Sequence, residues 1–375
     1  MQPIPVNIPL LQGREKELVS ECIDTGWISS EGPFVKEFEE KMAARVDRKH
    51  GIAVCNGTAA LDCALRSLQL EPGDEVIVPT FTIISCVTAI LNAGAKPVLV
   101  DMDPITWNMT PDGIEQAITP ETRAILVVHI YGLPVEMKPV LDLAEKHGLT
   151  VIEDAAEAIG QQCDGKECGS FGDISIFSFY PNKHITTGEG GMILTNNEAL
   201  ANRCRELRNL CFKPGKRFYH EETGWNYRMT NLQAALGLAQ LEKLENTLIR
   251  KREIGKLYHD LLQDCDQLQL PLPSTSYAQN LYWVFAVVLK HSSEERTAKI
   301  TQTLGQRMIG TRPFFWPMHE QPAFHKLGLF LDDHFPVAEQ LARTGFYLPS
   351  GVGTSDEQIE IVASNLLSSL TLCPK

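Results

Sequence analysis

The sequence predicts an α/β protein, with a large domain on a doubly wound, mostly parallel sheet followed by a smaller α/β domain at the C-terminal end. Three observations carry that expectation. Between about residues 50 and 200, short runs rich in Val, Ile and Leu alternate with amphipathic stretches. Continuous apolar runs of this kind suit strands covered on both faces. After Asn231 the pattern changes to leucines at helical spacing with charged residues between them. Finally, 375 residues, 43% of them hydrophobic, exceed one average domain and fall short of three.

The strand candidates are Glu75–Pro79, Pro97–Asp101, Ala124–Ile130, Thr150–Glu153, Ile174–Phe179 and Gly191–Thr195. Helix candidates lie between them at Ala59–Leu70, Ser85–Asn92 and Met137–His147. Such alternation predicts right-handed crossovers, with ligands beyond the carboxyl ends of the strands. Leu232–Leu262 reads as a long, interrupted helix leading into a second unit. That unit holds a Pro-rich connector at Leu270–Ser274 and a strand-like run at Tyr282–Leu289. The expected division is a large domain over residues 1–245 and a small one over 246–375.

The net charge of -13 argues against a nucleic-acid partner, which calls for a basic face. Ten cysteines are scattered without a CxxC pair, so they read as reduced thiols rather than disulfides or zinc ligands. The N-terminal stretch lacks the layout of a signal peptide, and no apolar run approaches the roughly 20 residues that span a bilayer. The expectation is a cytoplasmic protein with neither a membrane nor a metal in its function.

Three segments carry chemistry. Lys183 follows the β-like run Ser175–Phe179 and precedes the Gly-rich turn Gly188-Glu189-Gly190-Gly191. A lysine that bonds a carbonyl as a Schiff base must be reachable yet partly desolvated, so that its amine is neutral. Taken alone, a lysine beside a turn is far more often a solvated surface residue. Asp154 ends the run Val151-Ile152-Glu153, where a ligand binds in a doubly wound sheet. It reads either as a carboxylate that keeps a pyridine nitrogen protonated or as a strand-end or helix-capping aspartate. Gly57-Thr58 opens a helix whose free amides suit a phosphate, although Asn56 or Thr58 also serves as an ordinary N-cap.

In order along the chain, NGTAAL, EDAAEA, FSFYPNKHITTGEGG and GWNYRMTNLQAALG resemble the DegT/DnrJ/StrS-type sugar aminotransferases, a branch of the fold-type I, aspartate-aminotransferase-like pyridoxal-phosphate enzymes. The resemblance runs from Thr25-Gly26-Trp27 to Leu348-Pro349-Ser350 and implies pyridoxal 5'-phosphate as cofactor. Lys183 matches the Schiff-base lysine and Asp154 the partner of the ring nitrogen. Glu157 falls near the ring hydroxyl, and Gly57, Thr58 and Ser178 match phosphate ligands. Asn226 matches a phosphate contact from the neighbouring subunit, which implies a homodimer with shared active sites. Trp27, Ser29, His184, Arg312 and His319 are candidates for the substrate site, although His319 reads slightly better as a satisfied interdomain histidine. The text around Lys183 is similar to perosamine-synthase-like members, which aminate C4 of a keto sugar.

Two departures stand out. Where many relatives stack an aromatic residue on the cofactor this chain has Ile83, so either the aliphatic side chain covers the ring or Phe81 reorients. The loop Asn209–Glu222 differs from that of perosamine synthases, and its Lys213, Lys216 and Arg217 read either as an anion site or as a solvated basic loop. The implied reaction moves an amino group from L-glutamate, releasing 2-oxoglutarate, to a nucleotide-linked 4-keto-6-deoxy sugar. A nucleotide-free keto sugar acid such as an 8-keto-3-deoxy-octulosonate is the alternative. A sugar dehydratase of the same fold, in which histidine replaces the lysine, and a non-catalytic regulator rank below it. A dinucleotide-binding dehydrogenase lacks its GxGxxG here.

Overall fold

The computed structural model describes residues 2–213, 215 and 218–373. Two helices, α1 (Glu15–Thr25) and α2 (Pro33–Arg45), precede the first strand, β1 (His50–Val54). The chain then runs through α3 (Gly57–Ser67), β2 (Glu75–Pro79), α4 (Ile84–Asn92), β3 (Lys96–Val100), α5 (Pro111–Ala117) and β4 (Thr122–Val128). Next come α6 (Met137–His147), β5 (Thr150–Asp154), the short hairpin β6 (Gln162–Cys163) and β7 (Lys166–Glu167), β8 (Ile174–Ser178), β9 (Gly191–Thr195) and α7 (Glu198–Arg208).

Among the described residues, the main sheet has seven strands in the order β1-β9-β8-β5-β4-β2-β3. Its neighbours are parallel except at β9, which runs antiparallel to both β1 and β8. Side chains alternate between two apolar layers. Ala124, Leu126 and Ile152 join one cluster, with Leu65 of α3, Ile90 of α4 and Cys204 of α7. Ile125, Val127 and Val151 join the other, with Phe38 of α2, Val140 of α6 and Leu238 further along the chain. Burial on both faces is why these strands read as continuous apolar runs. The six expected strands are all present, with ends shifted by a few residues, and β1 adds a seventh outside the sequence reading.

The segment expected as one interrupted helix is two: α8 (Asn231–Leu241), opened by a Thr230/Gln233 capping box, and α9 (Leu244–Leu262). Beyond them lie β10 (Leu268–Gln269), β11 (Phe285–Leu289), α10 (Glu294–Gln306), β12 (Arg312–Pro313), α11 (Pro322–His325), α12 (Pro336–Thr344), β13 (Gly345–Leu348) and α13 (Asp356–Leu372). Their strands form an antiparallel sheet in the order β10-β11-β13-β12. Phe285, Val287 and Leu289 face a core of their own with Tyr258 and Leu366, whereas Ala286 and Val288 face the large domain's cluster. The small sheet therefore lies against the flank of the large domain.

The expected boundary between residues 245 and 246 falls in the first turn of α9. The N-terminal segment also lies against the C-terminal unit: Ile4 N–H donates to Met308 O, Gly310 N–H to Ile4 O and Ser350 N–H to Val6 O. Among the described residues, no helix is long and apolar enough to cross a membrane. All ten cysteines are free thiols.

Candidate active site

The carboxyl ends of β2, β5 and β8 and the N-terminus of α3 surround one cavity of about 530 Å³, as expected of a doubly wound sheet. At its edge, Asn56 is extended and its Oδ1 accepts the Ala59 N–H at 2.8 Å, so Asn56 is the cap of α3. Thr58 is thereby released from capping, and its Oγ1 lies 2.8 Å from Ser85 Oγ at the cavity wall. The first amides of a helix have no acceptor within it and attract anions. A Cβ on Gly57 would sit 2.8 Å from Ser178 Cβ and 3.1 Å from its Oγ. Only glycine lets this turn meet the end of β8, and Gly57, Thr58 and Ser178 form one side of the cavity.

Lys183 follows β8, its amide held by Tyr180 O at 2.9 Å. Its Nζ lies 3.7 Å from Glu157 Oε1 and 3.8 Å from the centre of the Trp283 ring. Burial pushes the Lys183 pKa down, and the Glu157 and Asp154 charges oppose that shift. Burial pushes Glu157 up, with Lys183 opposing, while Glu157 Oε2 accepts the Tyr131 N–H at 2.8 Å. Asp154, 2% exposed, is the last residue of β5. Its Oδ1 accepts the Ala156 N–H at 3.0 Å, Cys86 Sγ lies 3.5 Å from Oδ2, and burial raises its pKa. The preceding residue, Glu153, is locked by His129 Nε2 at 2.9 Å and by the amides of Gly169 and Phe171. This network fixes the end of β5 and so the aim of Asp154.

Of the substitutes for an aromatic stack, Ile83 is the one at the cavity, 45% exposed and on its wall. Phe81 is fully buried among Tyr131, Phe314 and Phe315. Arg312 is exposed on β12 and pairs across strands with Tyr347, which lines the cavity. Trp27 and Ser29 are exposed on a loop whose carbonyls accept from Asn231, away from the walls of this cavity. The substrate-contact expectation for His184 meets a different arrangement, and His319 takes the interdomain alternative. His184 turns into the interior with Nδ1 3.0 Å from Ile159 O, and burial holds its pKa well below the usual range. His319 is bound by Thr80 Oγ1 at 2.9 Å and Glu339 Oε1 at 3.1 Å, a satisfied histidine between the domains. Asn226 is exposed and absent from the lining of this cavity. In the basic loop, Lys213 pairs with Glu206 at 3.1 Å, and Lys216 and Arg217 lie outside the described residues.

The structure adds residues that sequence reasoning missed. Trp283, Phe315 and Tyr347 bring an aromatic wall from the small domain. Trp283 Nε1 donates to Asn182 O at 2.9 Å, fastening the indole to the lysine's own loop. Tyr131 joins both domains: its amide serves Glu157, and its hydroxyl accepts the Phe315 N–H at 3.2 Å. The signal in the sequence was the aromatic content of Tyr282–Leu289, which reads equally well as core.

The model of the DegT/DnrJ/EryC1/StrS aminotransferase family matches residues 9–367. The chain is 42% identical over 366 residues to a GDP-perosamine synthase of Escherichia coli O157:H7, covering 98% of each chain. It is 38% identical over 336 residues to a UDP-N-acetyl-3-dehydro-alpha-D-glucosamine 3-aminotransferase of Acidithiobacillus ferrooxidans, covering 89% of this chain and 88% of that one. Among solved structures, the PLP form of a putative sugar aminotransferase, Spr1654 of Streptococcus pneumoniae, superposes with a TM-score of 0.93 at 25% identity, covering 100% of both chains. The cavity fits pyridoxal phosphate: a buried amine for its aldehyde, a buried carboxylate for its ring nitrogen, and a turn without a Cβ for its phosphate.

Proposed function

The chain belongs to the DegT/DnrJ/EryC1/StrS aminotransferase family and is a pyridoxal-phosphate-dependent sugar aminotransferase, and on that premise we propose that it carries the amino group of L-glutamate to the keto group of a nucleotide-linked 4-keto-6-deoxy sugar, for cell-surface polysaccharide or lipopolysaccharide. The observation that carries the reaction is the convergence of Lys183, Asp154 and the Gly57-Thr58 turn on one cavity. The relative at 42% identity, named a GDP-perosamine synthase, supports this choice of sugar class.

When bound, pyridoxal phosphate supplies an electron sink for the electron pair left when a proton leaves the carbon bearing nitrogen. Gly57, Thr58 and Ser178 would hold the phosphate, Asp154 would keep the ring nitrogen protonated, and Lys183 Nζ would be the amine facing the aldehyde. The free Lys183 amine would be the base that takes a proton from the donor's α carbon and later returns one to the sugar carbon. Burial lowers the pKa of that amine and so favours its neutral form, and Glu157 beside it opposes the shift. Donor and acceptor use the site in turn, 2-oxoglutarate leaving before the sugar enters, so kinetics are ping-pong. We further propose a homodimer in which Asn226 reaches the phosphate bound by the neighbouring subunit. The free thiols accord with a cytoplasmic setting.

The test is to incubate the loaded enzyme with glutamate and a panel of keto sugars and read products by mass spectrometry. Amination of a nucleotide-linked 4-keto-6-deoxy sugar supports the proposal. Amination of a nucleotide-free keto sugar acid alone overturns it.

A further inference from the structure

The segment Trp225–Arg228 is fastened by its backbone on two sides. Trp225 N–H donates to Leu207 O and Tyr227 N–H to Arg208 O, at the end of α7, while Cys55 N–H donates to Tyr227 O at the end of β1. Asn226 and Asn209 face each other across an isolated antiparallel bridge. The Arg228 side chain folds back over this pair. Its Nε donates to Asn226 Oδ1 at 3.0 Å and its Nη1 to Asn209 Oδ1 at 2.6 Å.

A guanidinium has donors and no acceptor. The atom of each amide that faces it must therefore be the carbonyl oxygen, which turns both –NH₂ groups away. Asn226 is exposed, so without this lock its amide would flip freely and present an oxygen as readily as a donor. An anion is bound by the donor and repelled by the oxygen.

We propose that Arg228 is a positioning residue for the cofactor: it holds the Asn226 amide with Nδ2 outward, as a ready donor to the phosphate of the pyridoxal phosphate in the neighbouring subunit. The proposal rests on the reading of Asn226 as a contact across the dimer. Asn209, held in the same sense, braces the guanidinium so that it has one orientation. The bridge between Val54 and Arg228 ties this lock to the end of β1, just before the chain's own phosphate turn.

The experiment measures the pyridoxal phosphate dissociation constant by equilibrium dialysis against the cofactor-free protein. The variants are Asn226→Ala, Arg228→Ala, Arg228→Lys and the double Asn226→Ala/Arg228→Ala, each with its melting temperature. Asn226→Ala is expected to weaken binding by about tenfold, the size of one charge-assisted hydrogen bond. Arg228→Ala should weaken it by several-fold to about tenfold. The double variant should be no more than about twofold weaker than Asn226→Ala, because both changes remove the same contact. Arg228→Lys should fail to restore affinity, since an ammonium keeps the charge but lacks the planar fork that spans two amides. Additive losses, full rescue by lysine, or a loss that only tracks melting temperature would each overturn the role of Arg228. An unchanged constant in Asn226→Ala would instead overturn the trans contact itself, whatever Arg228→Ala does.

Discussion

Replacing Glu157 with Gln removes one charge 3.7 Å from the Lys183 amine while keeping the side chain's shape. It also keeps an oxygen for the Tyr131 N–H, 2.8 Å away in the native protein. Burial drives the two pKa values toward each other, lysine down and glutamate up, and their mutual attraction opposes both shifts. At 3.7 Å and an effective dielectric near 20, that attraction is about 4 kcal/mol. Relaxation of the variant site and the remaining Asp154 charge reduce what is felt at the amine. The amine's titration should therefore move down in the variant. The sign follows from the charge removed, because a neutral neighbour favours the neutral amine. Only that form attacks an aldehyde. Cofactor-free Glu157→Gln should therefore capture pyridoxal phosphate at lower pH than the native protein, read as growth of near-visible absorbance after mixing across the pH range in which the fold survives. A midpoint that stays in place or moves up would refute the charge coupling. The phosphate cradle is untouched, so the amount bound at saturation should equal that of the native protein.

Asp154→Asn should retain cofactor but lose turnover by about a hundredfold or more, since a neutral amide cannot hold the ring nitrogen protonated; native-like turnover in a glutamate assay would remove Asp154 from that role. Gly57→Ala places a methyl 2.8 Å from Ser178 Cβ. Overpacking of this kind costs about 1–3 kcal/mol, so pyridoxal phosphate affinity should fall by about tenfold or more, and unchanged affinity by dialysis would show that the two chains of atoms do not meet there. Lys251, 2% exposed, donates to Trp283 O at 2.9 Å and to Ser350 O, and burial depresses its pKa to about 7. The unfolded chain keeps this proton up to about pH 10.4, so unfolding takes up a proton between the two values and stability rises with pH across that window. Lys251→Met should flatten this rise in melting temperature; an unaltered slope would assign it to other groups.

The sheet was legible because β2, β3, β4, β8 and β9 each hold three or more large apolar residues that fill both apolar layers, and β5, with Val151 and Ile152, follows the amphipathic α6. β1 escaped notice because three of its five residues, His50, Gly51 and Ala53, are small or polar, leaving Ile52 and Val54 as its large apolar residues. Within the site, the residues that were legible sit at ends of elements, where spacing along the chain fixes position: Asp154 closes β5, Ser178 closes β8, and Gly57 opens α3. Residues brought by tertiary packing were not. Trp283 follows Lys183 by a hundred residues and reaches its amine only because the small sheet lies on the large domain's flank. His184 errs in the opposite direction. It is adjacent to Lys183, yet its ring finds a backbone partner inside the fold, whereas His319 takes the satisfied interdomain place that the sequence reading also gave it. A titratable residue type beside a reactive one is thus poor guidance to who shares a cavity. The better guide is the hydrogen-bond partner that fixes a side chain, as His129 does for Glu153 beside Asp154 and Arg228 does for Asn226.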